Sequence, residues 1–350
     1  MELSLADGWT QVEPKETNFE LLISGQSPDQ NLISTDTAFL HRREIGFSGG
    51  GNCPVAIDAA GGRVFVSVDG IVSYGLRGSV GEKSRIREDV SPVWMLAYDP
   101  TGPDLLMHLH GYEPMQSLVA RLHIDSGNID KQLLPEDAFF PLALNVACDK
   151  VLYNCRQGGA AVYDLANEVS TLASAQVPSW VQGGTFDIDE HRVILGGDGL
   201  WGWDTVSGST SRLCERGMYP AIDSSGGVWF TLRDGALAKL NSKNGSFEVI
   251  VELSGLDTNA SKGGSYAQPV VFSSDARFGL ARLTGREKLS GKDLEDAEEF
   301  CKSVGQPFAE FHQYRYEPYF CILDLELQQA WCSEGYAHNV AWLRSEAKVG

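Results

Sequence analysis

The sequence predicts an all-β fold built from repeats, and three observations carry that prediction. Residues 56–70 read Ala-Ile-Asp-Ala-Ala-Gly-Gly-Arg-Val-Phe-Val-Ser-Val-Asp-Gly, and residues 221–235 read Ala-Ile-Asp-Ser-Ser-Gly-Gly-Val-Trp-Phe-Thr-Leu-Arg-Asp-Gly. Ala, Ile, Asp, Gly-Gly, Phe and the final Asp-Gly recur without a gap, and self-similarity of this kind marks a repeat architecture. Segments that alternate apolar and polar residues, rich in Val, Ile, Phe and Tyr, dominate the chain, with turn-forming clusters between them. The Asp of the repeat also recurs as a ladder, Asp58, Asp99, Asp149, Asp189, Asp223 and Asp275, each after a short apolar segment and just before the next strand.

Taken in order, the elements fit a ring of small sheets. Arg63–Val68, Asp69-Gly70 and Ile71–Leu76 read as strand, tight turn and strand. Val228–Leu232 and Ala236–Leu240 flank Asp234-Gly235 in the same way, and His191–Leu195 and Leu200–Trp203 flank Gly196–Gly199. The ladder's spacing averages roughly 43 residues, the length of a propeller blade. Asn339–Leu343 forms a seventh apolar segment with too little chain after it to complete a blade, whereas Phe19–Ser24 and Thr37–His41 read as strands without a marker. The C-terminal strand is therefore expected to complete a blade begun by the N-terminal strands, which hides the edges an open array would expose. The expectation is one all-β domain over residues 1–350, a seven-bladed β-propeller.

Residues 284–313 interrupt the sixth repeat. Ser290–Val304 reads as a short helix, with Ser290 as its cap and Asp293, Glu295 and Asp296 near the positive end of its dipole. Leu294, Ala297, Cys301 and Val304 form one stripe, and the opposite face is acidic. Such a helix either lies on the rim or serves as an arm that grips a partner.

Three strand ends carry a second mark: Val162-Tyr163-Asp164, Gly202-Trp203-Asp204 and Ile322-Leu323-Asp324 each precede a turn. Trp203-Asp204 resembles the dipeptide that names WD40 repeats, although the Gly-His element of those blades is absent. The resemblance is to WD40-like propellers, and it implies a binding scaffold without implying any particular chemistry.

Composition narrows the partners. The chain has 47 Asp and Glu against 28 Lys and Arg, a formal charge of −19. That balance argues against nucleic acid and anionic membrane, whose phosphates need Lys and Arg, and favours a partner with a basic surface. Seven cysteines stand in no framework-like spacing, as expected of reduced thiols in the cytoplasm. The opening residues contain no basic and apolar leader, which also points to a cytoplasmic location.

Gly46-Phe-Ser48-Gly-Gly50 matches a nucleophile-elbow string, but Gly51-Asn-Cys-Pro54 cannot readily open the helix that the elbow needs. Gly197-x-Gly199-x-x-Gly202 matches a dinucleotide fingerprint, yet a strand end follows it, so it reads as a hairpin turn. His108 and His110 share a strand face near His123, with no Cys at ligand spacing, and read as paired polar residues on an outer sheet face. No metal or cofactor is expected.

The most suggestive constellation is aromatic. Loops leading into the innermost strands carry Trp94, Phe140, Trp180, Tyr219, Tyr266 and Tyr336, with Gln182, Gln268 and His338 as polar neighbours. Rigid aromatics beside a few polar groups are what binding hot spots use, although each could equally plug a junction between blades. The expected function is non-catalytic binding of a basic protein, in one version as an inhibitor or immunity-type protein. The alternative is a propeller hydrolase or lyase, or a small-ligand binder, with its site in the central channel.

Overall fold

The computed structural model describes residues 2–26, 31–47, 54–76, 83–88, 93–99, 102, 104–110, 117–173, 177–232, 235–253, 270–305, 307–335 and 339–344. Its strands form seven sheets, each hydrogen-bonded in the order A to D from the centre outward. Blade one is Val55–Asp58, Arg63–Ser67, Ile71–Gly75 and Lys83–Arg87; blade two is Val93–Asp99, Asp104–His110, Ser117–His123 and Ile129–Leu133. Blade three is Ala138–Leu144, Lys150–Cys155, Ala160–Asp164 and Val169–Leu172; blade four is Gly184–Phe186, Arg192–Gly197, Gly199–Asp204 and Thr210–Cys214. Blade five is Met218–Ile222, Val228–Thr231, Leu237–Leu240 and Phe247–Leu253; blade six is Val271–Phe272, Phe278–Lys288, Tyr314–Asp324 and Gln329–Glu334. Blade seven takes its A strand, Asn339–Arg344, from the C-terminus and Phe19–Gln26, Asn31–Asp36 and Arg42–Phe47 from the N-terminus.

The ring closes as the sequence predicts. Asn339–Arg344 pairs antiparallel with Phe19–Gln26, in register from Phe19↔Arg344 to Ser24↔Asn339. Two indole N–H groups stitch the junction with blade six: Trp342 donates to the Val271 carbonyl at 2.8 Å and Trp331 to the Thr37 carbonyl at 2.7 Å. One expectation fails here. Thr37–His41 is a turn, because the Asp36 carboxylate accepts the Leu40 and His41 N–H groups and Phe39 takes a positive φ of 61°. Two short strands were not foreseen. Leu3–Leu5 edges blade five and Thr10–Gln11 edges blade six, so the N-terminal segment covers two outer edges before it enters blade seven.

Seven hydrophobic clusters hold the ring together, one at each junction between neighbouring blades. Strand alternation explains how one strand serves two of them. Phe65 faces blade two while Val64 and Val66 face blade seven, and all three are fully buried.

The repeated Asp has a structural task. Asp58 accepts the Gly61 N–H and pairs with Arg63 at 2.9 Å. Asp223 accepts the Ser225 and Gly227 N–H groups and the Trp229 indole. A Cβ on Gly61 would collide with Asp58, and one on Gly227 would stand 2.5 Å from Asp223, which accounts for a glycine in each turn. The two copies differ by one residue in register. Ile57 pairs with Val64, but the corresponding Ile222 pairs with Val228, and a bulge between Met218 and Ala221 takes up the slip.

Antiparallel order places every B–C hairpin and every loop between blades on one face of the ring. Blade six is distinctive on that face. Its B and C strands pair on from Leu283↔Tyr319 to Lys288↔Tyr314, whereas pairing with strand D ends at Tyr319↔Glu334. The extra five pairs make a two-stranded ribbon that projects about 15 Å and carries the helix Lys292–Ser303 (α1). Gly291, not Ser290, occupies the cap position, and no side chain caps the helix.

Candidate binding face

The loop from blade three to blade four is built from buried polar contacts. Asn154, wholly buried, donates its side-chain amide N–H to the Val181 carbonyl at 2.9 Å and accepts the Val181 N–H at 3.1 Å. The Gly159 N–H bonds the Ser179 carbonyl, and Gly158, at φ 99°, lets the B–C hairpin approach Ser179 closely. Beyond Val181, the Gln182 N–H bonds Gly196 and the Gln182 carbonyl accepts the Tyr219 N–H, both at 2.8 Å. Gly183 and Gly196 pack against the backbone at Tyr219, where a Cβ on either would come within 2.9 Å.

This scaffold presents Trp180. Its side chain is 49 % exposed although the segment beneath it is fixed. The ring meets Phe139 edge-on at 6.1 Å, and the Arg156 guanidinium sits 5.7 Å from the Phe139 centroid. Phe140 is 36 % exposed on the inner strand. Tyr219 is half-buried with φ 48°, and burial raises its phenol pKa.

The structure therefore places Trp180 and Gln182 on the loop before blade four and Tyr219 on the inner strand of blade five, where its N–H reaches the Gln182 carbonyl. Phe140 lies on the adjoining inner strand. Trp94 lies on the inner strand of blade two, and its side chain is outside the described part of the molecule. Tyr266, Gln268, Tyr336 and His338 lie outside the described residues, as does Ser48. Sequence reasoning chose Phe140 and passed over Phe139, which touches Trp180. It also missed Arg156, whose signal was its place in the turn Cys155-Arg-Gln-Gly-Gly159.

The arm of blade six shares this face. Helix α1 buries Cys301 and half-buries Leu294 and Ala297, as the stripe predicts. Val304 departs from the stripe at 48 % exposure, and Phe300 is 64 % exposed. Around them Asp293, Glu295, Asp296 and Glu299 are exposed. An exposed Phe and Val at i and i+4 share one side of a helix.

The remaining candidates resolve as structure. Gly197 pairs with Gly199 across Asp198, a hairpin turn as expected. His108 is buried rather than on an outer face, because both faces of its blade are covered by neighbours. His123 lies between Asp104 at 3.0 Å and Asp130 at 2.9 Å, and the two carboxylates raise its pKa. Among the described residues one mixed group, Glu16, Asp36 and His41, brings three possible ligand atoms within 4.8 Å of one another. Asp36 there has the same turn-forming task as Asp164, Asp204 and Asp324, each of which accepts N–H groups of its own turn.

Solved structures agree on the architecture. The chain is similar to the Cps50 (Swd1) β-propeller domain of Myceliophteria thermophila, with 11 % identity and a TM-score of 0.53 over 80 % of this chain and 96 % of that one. The fold is a seven-bladed β-propeller. A second similar structure is the extracellular domain of a putative hybrid two-component system from B. thetaiotaomicron, with 14 % identity and a TM-score of 0.52. That match covers 77 % of this propeller, which spans 39 % of the other chain. Identities this low establish the fold and nothing finer. No protein-family model and no curated protein sequence matches the chain. Among the described residues, no helix is long and apolar enough to cross a membrane.

Proposed function

We propose that this single propeller domain is a non-catalytic, cytoplasmic binding protein whose partner is a protein with a basic surface. The observation that carries the reading is the arm of blade six, which lifts an exposed Phe300 within an acidic helix above the face that presents Trp180. An exposed aromatic anchor supplies burial on docking, and carboxylates around it steer a cationic surface and fix its register. The net charge of −19 extends that steering over the whole molecule. Neutralisation of a basic enzyme or toxin, as immunity proteins do, is the specific version this charge pattern fits.

The test is capture by the immobilised chain from native lysate at low salt, followed by reconstitution with the purified partner. The expected result is one basic protein at near one-to-one stoichiometry. Its affinity should fall at least tenfold with Phe300→Ser, and its association rate should fall with rising salt. A partner that binds equally well after Phe300→Ser and Trp180→Ala, with no salt dependence, would remove both the arm and the charge from the explanation.

A further inference from the structure

Cys321 and Cys332 face one another across strands C and D of blade six, paired Cys321↔Cys332. Both thiols are free. The next strand outward shows which kind of pair they make. Thr10 and Val12 donate their N–H groups to the carbonyls of Gln328 and Ala330, at 3.0 and 2.9 Å. Carbonyls two residues apart point the same way along a strand. Cys332, two residues beyond Ala330, therefore also turns its backbone polar groups away from strand C. That makes Cys321 and Cys332 a non-hydrogen-bonded pair, the closer kind, with Cα atoms about 4.5 Å apart. The separation lies within the range of about 4.4–6.8 Å that a disulfide spans.

Access to the two thiols differs. Cys321 is fully buried, and Cys332 is half-buried toward the outer edge of the blade. Burial raises the pKa of both thiols, and for Cys321 the neighbouring Cys332 raises it further. No other two cysteines among the described residues are partners in a sheet register.

We infer that Cys321 and Cys332 are an oxidisable dithiol that a small disulfide, such as oxidised glutathione, converts to a cross-strand bond within blade six. The more accessible thiol, Cys332, reacts first. Cys332, as thiolate, attacks one sulfur of the oxidant, releases one glutathione thiol and forms a mixed disulfide. Cys321 then loses its proton, attacks the Cys332 sulfur and releases the second glutathione thiol. Two S–H bonds and one S–S bond are consumed, one new S–S bond and two small thiols are formed, and two electrons pass from the protein to the oxidant. The product ties strand D, which carries the N-terminal edge strand Thr10–Gln11, to strand C.

The experiment exposes the native full-length chain to oxidised glutathione, blocks remaining thiols after denaturation, and maps peptides by mass spectrometry without reductant. The expected species joins the peptides of Cys321 and Cys332, is lighter by two hydrogen atoms and is released by reductant. Cys321→Ser should stop at glutathione on Cys332, because the resolving thiol is gone. If that variant fails to fold, the wild-type map still decides. Two free, blocked cysteines in the oxidised wild-type chain, or a glutathione adduct on Cys332 that never resolves, would overturn the inference.

Discussion

Replacing Asp223 with Asn tests whether the repeated Asp is a structural anchor. One carboxylate oxygen accepts the Ser225 N–H at 2.9 Å, the Ser225 hydroxyl at 2.5 Å and the Gly227 N–H at 2.8 Å. The other accepts the Trp229 indole N–H at 2.8 Å and the Lys239 ammonium at 3.2 Å. Burial alone would raise the carboxyl pKa, but the donors from Ser225, Trp229 and Gly227, together with Lys239, lower it from 3.8 to about 2. A depression of that size is worth about 2 kcal/mol of folding free energy at neutral pH. Asn keeps one acceptor and turns an NH2 group toward a buried indole N–H and an ammonium, so Asp223→Asn should cost about 2–3 kcal/mol. The sign with pH follows from the depressed pKa. The contribution is complete above about pH 4 and is lost as pH falls through the window from 3.8 toward about 2. Urea unfolding of wild type and variant at pH 7 and again near pH 2.5 measures both effects. A difference under about 0.5 kcal/mol at pH 7, within the range of an ordinary surface substitution, would refute the anchor role. So would a difference that does not shrink in acid.

Asn154→Ala removes both bonds to the Val181 backbone and should destabilise the fold by about 2 kcal/mol; it should also weaken partner binding, since Trp180 loses its support, as calorimetry and titration with the purified partner would show. His123 gains a raised pKa from Asp130 and Asp104, so its contribution to stability is present below its ordinary value of 6.5 and is lost as pH rises through the raised value. Titration of the ring protons by NMR should place its midpoint above 6.5, and Asp130→Asn should move that midpoint down.

The legible parts of the fold were those fixed by local chemistry. The Asp ladder marked A–B turns where the carboxylate accepts N–H groups of its own turn, as Asp58, Asp223 and Asp275 do, while beside Asp149 the acceptor is Asn145; Asp164, Asp204 and Asp324 marked C–D turns for the same reason. Short apolar runs rich in Val, Ile and Phe marked the inner strands because both of their faces are buried against neighbouring blades. Thr37–His41 misled because its apolar run Ala38-Phe39-Leu40 reads like a short strand, while the side chain that bends it, Asp36, stands just before it. The edge strands Leu3–Leu5 and Thr10–Gln11 are too short to show a period. On the candidate face, a bulge between Ala138 and Phe140 shifts facing by one residue and leaves no mark in composition.

The helix shows why an apolar stripe does not by itself reveal what a helix packs against. A helix lying on the rim would bury its stripe on the propeller, and Leu294, Ala297, Cys301 and Val304 have the spacing for that. On α1, Cys301 is fully covered and Leu294 and Ala297 are half-covered, while Val304 and Phe300 remain open to solvent. Exposing Phe300 among carboxylates does nothing for the folded monomer, since burying such a side chain is worth about 1.5–3 kcal/mol. The five extra strand pairs that carry the helix run on past the pairing with strand D. In the proposed function, this lengthened hairpin with its acidic helix and uncovered Phe300 is where the partner docks, and Phe300→Ser is the substitution that separates that contact from the fold.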